Sequence, residues 1–242
     1  MGNACSEGIL KPKGQMKLQY FPISGRAEPI RLALMLGKFD VVDQRISSTQ
    51  WEQKYKSQTP FGQVPVLTVN NKKIAQTKAI LRFVGKMVKH EGRLLYPTDP
   101  LLALKVDEVM DAFDDLWILL GPTFRVADKE QKELARKELF APEGPATFFV
   151  KIFEKMLTES TTGFVVPEAG LTVADLSYFC FLNLIRSGFV EGLAPDLFSG
   201  YPKIMEHKER VAKIPAIKEY YECPNKSNPD NSPFYEVFQP GK

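Results

Sequence analysis

The stretches FGQVP (residues 61–65) and QTKAI (residues 76–80) decide how this chain folds. The first predicts a strand edge that is entered through a proline. The second predicts the first turn of a helix, because a polar pair precedes an apolar run at helical spacing. A strand edge can pair with the backbone of an extended peptide, and the free N–H groups of a helix start can hold a carboxylate. Together the two stretches predict a site for a short anionic peptide.

Upstream, the segment LQYFPISGRAE (residues 18–28) places Tyr20 at the end of a predicted strand, just before another helix. These three stretches resemble the glutathione transferases. The similarity is greatest to the sigma-like class, with the hematopoietic-type prostaglandin D synthases and the nematode and protist sigma transferases. It covers residues 17–221, nearly the whole chain. Each motif is weak alone, and the combination is what makes the resemblance specific.

Composition narrows the range of functions. The chain has 242 residues, 44% of them hydrophobic, which allows one large domain or two small ones with a shared interface. The net charge of +3 comes from well-mixed charges and argues against a nucleic-acid partner. Three cysteines and two histidines are too far apart for a disulfide framework, a zinc site or a triad, so we expect a reducing compartment. No apolar run approaches the ~20 residues that span a bilayer.

The first part of the chain, residues 16–92, mixes strand and helix patterns. We predict a strand around Leu18 and Tyr20, strands at 41–46, 66–69 and 72–75, and helices at 27–36 and 77–88. The pair Asn70-Asn71 predicts a hairpin turn between the last two strands. This β-α-β-ββ-α order is that of a thioredoxin-like domain, which the resemblance also implies.

The second part, residues 100–222, predicts an all-helical domain after a linker at 92–99. Pro100 suits the first helical position, behind Thr98 or Asp99 as the cap. The stretch TVAD (residues 172–175) is a capping box that begins an apolar helix. Residues 1–15 predict a flexible leader, and residues 223–242, with four prolines, predict an extended tail. The expected fold is therefore α/β thioredoxin-like plus all-α, as in the glutathione transferases.

Tyr20 is the catalytic residue that the resemblance implies, with Arg26 in support. A free thiol has a pKa near ~8.5, and a phenol that donates a hydrogen bond to the thiolate lowers it. A decrease of about two units requires about 2.7 kcal/mol. One hydrogen bond to a charged group contributes ~1.5–3 kcal/mol, so one tyrosine supplies most of it. Ser24 is the rival, because other branches of the family use a serine nearby. Arg26 would favour the thiolate by its charge, unless it pairs with Glu28 or Glu52 instead.

The resemblance also implies how glutathione lies in the site. Gln63, Val64 and Pro65 belong to the peptide clamp, in which the family carries a cis-proline and Val64 offers its backbone N–H and C=O to the cysteinyl unit. Gln76 and Thr77 would take the γ-glutamyl end. The Thr77 hydroxyl and the helix N–H groups suit its carboxylate.

The glycyl end of glutathione is expected at Trp51, through the indole N–H, with Lys56 pairing the glycyl carboxylate. The stretch between Trp51 and Pro60 is one residue longer than the family pattern, so Lys54 competes with Lys56 for this role. A packed loop aromatic is the alternative reading of Trp51.

Asp107, Asp111, Asp114 and Asp115 fall on one face of a helix predicted over residues 106–120. Like charges at this spacing repel, so we expect an external positive partner. The resemblance implies that Asp115 crosses a homodimer interface to the α-amino group of the neighbour's glutathione. In prostaglandin-synthesising relatives, carboxylates matching Asp111 and Asp114 hold a divalent cation, and oxygen ligands favour Mg²⁺ or Ca²⁺. We favour a solvated acidic face, with glutathione as co-substrate and no cofactor.

The start MGNACS (residues 1–6) matches the N-myristoylation template, with Gly2 as the acceptor. Cys5 lies beside it and can take palmitate. One myristoyl chain binds membranes only marginally, whereas two chains anchor stably. We therefore predict a protein tethered to the cytosolic face of a membrane. A chance match in the leader is the alternative, and it would leave the protein in the cytoplasm.

The function expected from these features is that of an intracellular homodimeric glutathione transferase. The thiolate at Tyr20 attacks a small lipophilic electrophile, in a pocket around Phe21, Trp117 and Pro122. A glutathione-dependent isomerase or peroxidase acting on lipid products uses the same site and is the alternative among enzymes. A non-catalytic lipophile-binding or scaffold protein is an alternative of another class, because the fold does not fix the function.

Overall fold

The computed structural model describes residues 14–222 and 233–242. Gly2 and Cys5, to which we assigned acyl chains, lie outside these ranges, as does most of the leader. The described chain begins with a four-stranded sheet in the order β2-β1-β3-β4. β1 runs parallel to β2 and antiparallel to β3, which pairs antiparallel with β4. The strands are β1 (Met16–Tyr20), β2 (Val41–Arg45), β3 (Val66–Val69) and β4 (Lys72–Ala75).

The sheet and its helices confirm the predicted thioredoxin-like order. Helix α1 (Glu28–Leu36) connects β1 to β2, and α3 (Thr77–Gly85) follows β4. The hairpin turn is at the predicted pair, where Asn70 and Asn71 have φ of 48° and 61°. Asparagine tolerates this left-handed region better than most residues, which is why the pair identifies the turn.

Between β2 and β3 the chain is helical, which the sequence analysis missed. Helix α2 (Ser48–Gln50) begins in a capping box at Ser47. It continues as a π-helical turn, Trp51–Tyr55, and a 3-10 turn, Lys56–Gln58. A π turn closes each hydrogen bond over five residues instead of four, as Lys56 N–H does to the Trp51 carbonyl. It therefore accommodates one more residue than an α-turn, which matches the extra residue noted in this stretch.

The predicted linker is more structured than expected. The helix predicted to reach residue 88 ends at Gly85, and two short strands follow, β5 (Lys89–His90) and β6 (Arg93–Leu94). They pair antiparallel across Glu91 and Gly92, whose φ values are 49° and 81°. Two consecutive residues at positive φ form the tight turn of a two-residue hairpin.

The second domain is helical, as predicted. Its helices are α4 (Pro100–Leu120), α5 (Lys129–Leu139), α6 (Pro145–Glu159), α7 (Val173–Arg186), α8 (Pro202–Ala212) and α9 (Pro215–Glu222). Asp99 caps α4, because its carboxylate accepts from the N–H groups of Leu101 and Leu102. The capping box is present at Thr172 and Asp175, and α7 is buried along nearly its whole length. No helix in the described ranges is both long and apolar enough to cross a bilayer.

The prediction of an extended tail was wrong for part of it. Residues Pro233–Phe238 form a 3-10 helix, which packs on α7 and α9. Phe238 is fully buried, with its ring centroid 4.7 Å from that of Tyr221. The ammonium of Lys208 donates to the carbonyls of Gln239 and Lys242. Proline starts such a turn without losing a hydrogen bond, and aromatic burial then holds the segment against the helices.

Candidate active site

A cleft of about 560 Å³ is lined by residues of both domains. The first domain contributes Phe21, Arg26, Trp51, Gly62, Gln63, Val64, Pro65, Gln76 and Thr77. The helical domain contributes Asp114, Trp117, Ile118, Gly121, Pro122 and Arg125. The structure thus brings together ten residues that the sequence analysis assigned to glutathione, its activation or the electrophile. Tyr20, Lys56 and Asp115 are absent from the lining.

The wall expected to bind glutathione is built by the strand edge and the start of α3. The Val64–Pro65 peptide bond is cis, and Val66 then begins β3. Gln76 has φ of 74°, a strained conformation for a residue other than glycine. Its amide donates to the Gln63 side chain over 3.2 Å. Strain of this kind concentrates at functional sites. Thr77 follows at the first position of α3, where backbone N–H groups have no partner within the helix.

Tyr20 lies at the end of β1, buried beneath the cleft. Its hydroxyl oxygen accepts from the backbone N–H of Arg26 over 3.1 Å. Among the contacts of the described chain this hydroxyl donates to no acceptor. Burial raises the pKa of Tyr20, offset only partly by that N–H and by the charges of Arg31 and Arg26. The phenol is therefore protonated at neutral pH and is a donor.

Gly25 makes room for this hydroxyl. It has φ of +42°, and a Cβ at this position would lie 2.6 Å from the Tyr20 oxygen. Any side chain here would displace the tyrosine. The rival residue, Ser24, is fully buried, and its hydroxyl has no hydrogen-bond partner among the residues that the structure describes. It does not line the cleft.

Arg26 reaches across to the helical domain. Its guanidinium pairs with Asp114 over 2.7 Å and lies 4.8 Å from the ring centroid of Trp117. The alternative pairings with Glu28 and Glu52 are wrong. Glu28 pairs with Arg31 and Glu52 with Lys56, because the fold turns those carboxylates away from Arg26.

The acidic face of α4 finds its positive partners on α3 of the same chain. Lys78 pairs with Asp111 over 2.7 Å and with Asp114 over 3.4 Å. Arg82 pairs with Asp107 over 2.7 Å. The Asp111 side chain is still 59% exposed, so this face is both ion-paired and solvated. No group of three or more Asp, Glu, His or Cys side chains within residues 14–222 and 233–242 is placed to hold a metal ion.

The ion pairs with Arg26 and Lys78 change the pKa of Asp114. Burial alone would raise the pKa of Asp114, but hydrogen bonds and charges from Arg26 and Lys78 bring it below its usual value. Asp115, the next residue, is exposed, and within the described chain it forms no ion pair. The two adjacent carboxylates therefore differ in their surroundings. Asp114 is paired with cations of the same chain, whereas Asp115 is exposed to solvent.

Lys56 does not reach the cleft. Its ammonium pairs with Glu52 over 3.2 Å, one helical turn away. Lys54, its competitor, lies instead 5.1 Å from the ring centroid of Tyr55. Trp51, in contrast, does line the cleft and packs edge-on against Phe21, with the two ring centroids 5.9 Å apart.

The helical wall also contains three residues that were not predicted from the sequence, Ile118, Gly121 and Arg125. All three lie close in sequence to Trp117 or Pro122, which were assigned to the electrophile pocket. This proximity in sequence is the only feature from which the three residues could have been predicted to line the cleft. The end of α4 and the 3-10 helix Gly121–Arg125 bend around the cleft, and this bend cannot be read from the helical periodicity.

The comparisons with known proteins agree with this geometry. Residues 16–86 match the model of the glutathione S-transferase N-terminal domain, and residues 115–224 that of the C-terminal domain. Glutathione S-transferase 1 of Ascaris suum is 32% identical over 209 residues, which are 85% of this chain and 95% of that one.

Two solved structures are similar as well. One is the prostaglandin synthase D of Nilaparvata lugens, with 28% identity, a TM-score of 0.74 and coverage of 87% of this chain and 98% of that chain. The other is the monomeric Na-GST-3 of Necator americanus, with 33% identity, a TM-score of 0.70 and coverage of 89% and 100%. The chain therefore belongs to the glutathione S-transferase family and is an enzyme that uses glutathione as its co-substrate.

Proposed function

We propose that this transferase activates glutathione at Tyr20 and conjugates it to small lipophilic electrophiles in the cleft. The observation that carries the proposal is the state of the Tyr20 hydroxyl. The hydroxyl is protonated, its oxygen accepts a hydrogen bond from the Arg26 N–H, and its hydrogen is donated to no acceptor within the described chain. A hydrogen bond from this phenol to the glutathione sulfur stabilises the thiolate and lowers the pKa of the thiol.

The other residues of the cleft each bind a different part of glutathione. The N–H groups at the start of α3, with the Thr77 hydroxyl, hold the γ-glutamyl carboxylate. The backbone of Val64 pairs with the cysteinyl unit, and Trp51 borders the glycyl end. The sulfur then faces Phe21, Trp117 and Pro122, whose apolar surfaces suit a lipophilic electrophile.

Tyr20→Phe tests this proposal. The variant loses only the hydroxyl and should still bind glutathione. The pKa of the bound thiol should rise by about two units, and turnover at neutral pH should fall between about tenfold and a hundredfold. The pKa is measured from the ultraviolet absorbance of the bound thiolate against pH.

Tyr201→Phe is the matched control, because Tyr201 is the N-cap residue that precedes α8 and does not line the cleft. It should leave the thiol titration as in the wild type. An unchanged titration with unchanged turnover in Tyr20→Phe would contradict the proposal and move the role to Ser24 or another group.

An isomerase or peroxidase acting on lipid products is the second candidate. It is favoured by the 28% identity to a prostaglandin synthase D structure. Both activities use the same glutathione thiolate. Turnover of chlorodinitrobenzene, cumene hydroperoxide and a lipid endoperoxide by the purified protein distinguishes them. Rates for the endoperoxide far above the conjugation rate would favour the isomerase.

We also propose a homodimer in which Asp115 binds the α-amino group of the partner's glutathione. Asp115 supports this, because it is exposed and unpaired within the described chain while its neighbour Asp114 is paired. Asp115→Ala should weaken glutathione binding more than it weakens folding. A fully active monomer in sedimentation would contradict the proposal; the Necator americanus neighbour is described as monomeric.

The location that we propose rests on the leader sequence alone. Myristoylated Gly2 and palmitoylated Cys5 would tether the enzyme to the cytosolic face of a membrane. Gly2→Ala should move the protein into the soluble fraction of cells, while Cys5→Ser should leave weak, reversible binding. A soluble wild type with an unmodified N-terminal peptide in mass spectrometry would overturn this assignment.

A further inference from the structure

The residues that line the cleft carry more positive than negative charge. Two arginines, Arg26 and Arg125, and one carboxylate, Asp114, face the cleft. Arg26 and Asp114 neutralise each other over 2.7 Å. Across residues 14–222 and 233–242, the guanidinium of Arg125 has neither an ion pair nor a side-chain hydrogen bond. One uncompensated positive charge therefore remains in the cleft, and it lies on the wall of the helical domain.

The segment that carries Arg125 is anchored from behind. Arg125 ends the 3-10 helix Gly121–Arg125. The buried guanidinium of Arg136 donates to the Thr123 hydroxyl and to the Glu191 carbonyl, each over 2.9 Å. The same guanidinium lies 4.7 Å from the ring centroid of Phe124. The backbone is thus fixed, and Arg125 extends into the cleft from a rigid base.

The surface beside Arg125 is apolar. Trp117, Ile118 and Pro122 line the same wall, and Ile118 is 63% exposed. An apolar surface that ends at a free cation fits an amphipathic acid, whose hydrocarbon part covers the wall and whose carboxylate pairs with the guanidinium.

Glutathione itself carries two carboxylates, so the anion that pairs with Arg125 has two candidate sources, glutathione and the second substrate. The γ-glutamyl carboxylate is accounted for at Thr77. Lys56, which was expected to pair with the glycyl carboxylate, does not line the cleft, but Trp51, expected at the glycyl end, lies on the opposite wall from Arg125. The position of Arg125 among the electrophile-pocket residues favours the second substrate.

We propose that Arg125 selects electrophiles that carry a carboxylate, a specificity that rests on the proposed conjugation. For an unsaturated ketone bearing such a group, the thiolate sulfur forms a bond to the β-carbon. The electron pair of the double bond moves onto the ketone as an enolate, and a proton from water completes the adduct. The carboxylate takes no part in the reaction and serves to place the β-carbon at the sulfur.

The test compares two matched electrophiles. The para-carboxy derivative of benzalacetone is an anion at neutral pH, and its methyl ester is neutral with the same reacting atoms. Wild-type enzyme should have the larger kcat/KM for the acid. Arg125→Gln should lower the ratio of acid to ester kcat/KM by about fivefold, the size expected for a solvent-exposed pair. Arg125→Lys should restore part of the ratio, and added salt should lower it in the wild type.

Lys137→Gln is the matched control, since it removes the same charge from an exposed position on α5 outside the cleft. It should leave the ratio unchanged. Equal losses for acid and ester in Arg125→Gln would overturn the inference, as would a wild type that does not prefer the acid. A rise in KM for glutathione alone would assign Arg125 to the glycyl carboxylate and overturn it too. Turnover of chlorodinitrobenzene reports separately on the proposed conjugation.

Discussion

Two ionic clusters connect the thioredoxin-like and helical domains, and they differ in burial. In the first, Glu28 and Arg31 are buried, and the Tyr221 hydroxyl of α9 donates to Glu28 over 2.9 Å. The second is the partly exposed set of pairs between α3 and α4, in which Arg26 also takes part through Asp114. No residue of the buried cluster lines the cleft, although Arg31 donates to the carbonyl of the lining residue Phe21 over 3.4 Å. The exposed set includes two lining residues, Arg26 and Asp114.

The difference in burial decides what each cluster contributes. Removing one partner of a buried pair leaves an uncompensated charge and costs about 3–5 kcal/mol. An exposed pair contributes at most about 1 kcal/mol, because water screens it. The buried cluster therefore secures the contact between domains. The exposed set contributes little stability, and its value is that Asp114 holds Arg26 against Trp117 at the cleft.

The largest expected effect comes from Arg31→Met. Arg31 bonds Glu28 and Asp43, and these carboxylates raise its pKa although burial alone would lower it. Without the guanidinium, Glu28 is a buried charge with no cation, and the free energy of unfolding should fall by about 3–5 kcal/mol. Urea denaturation followed by circular dichroism measures the change. Lys56→Met, from an exposed pair, is the control and should have a far smaller effect.

Tyr221→Phe should have an intermediate effect. It removes the hydrogen bond to Glu28 and keeps the ring that packs on Phe238. One oxygen of a buried carboxylate is left without its donor, so we expect a loss of about 1–3 kcal/mol in the same urea experiment. A loss as large as that of Arg31→Met would mean that the hydrogen bond, and not the charge, dominates the buried cluster.

Asp114→Asn should have the smallest effect on stability, at most about 1 kcal/mol at neutral pH. The pKa of Asp114 is lower in the folded state than in the unfolded chain, so its contribution is present above the unfolded pKa of about 3.9. It is lost as the pH falls through the folded value. The difference between wild type and variant should therefore vanish in acid. A difference that grows on acidification would contradict the assignment of this ion pair.

The local parts of the site could be predicted from the sequence. The hairpin turn at Asn70-Asn71, the start of α3 at Thr77 and the capping box at Thr172 each depend on residues within a few positions of one another. The prediction of helix over residues 77–88 ran too far, because nothing local marks the short hairpin that follows Gly85. The prediction of an extended tail was wrong because Phe238 is buried against Phe179 and Tyr221, on helices that are distant in the sequence.

By itself, the sequence determined the order of the four main strands, α1 and α3, together with the strand edge, the helix start and Tyr20 at the end of β1. Propensity and hydrogen bonding over one turn are enough to specify these features. Only the tertiary structure decided the pairings, because Arg26 and Asp114 are 88 positions apart and Glu28 and Tyr221 are 193 apart. It also directed Lys56 away from the cleft and Arg125 into it. A side chain's partner depends on which helices the core brings together, and no local pattern carries that information.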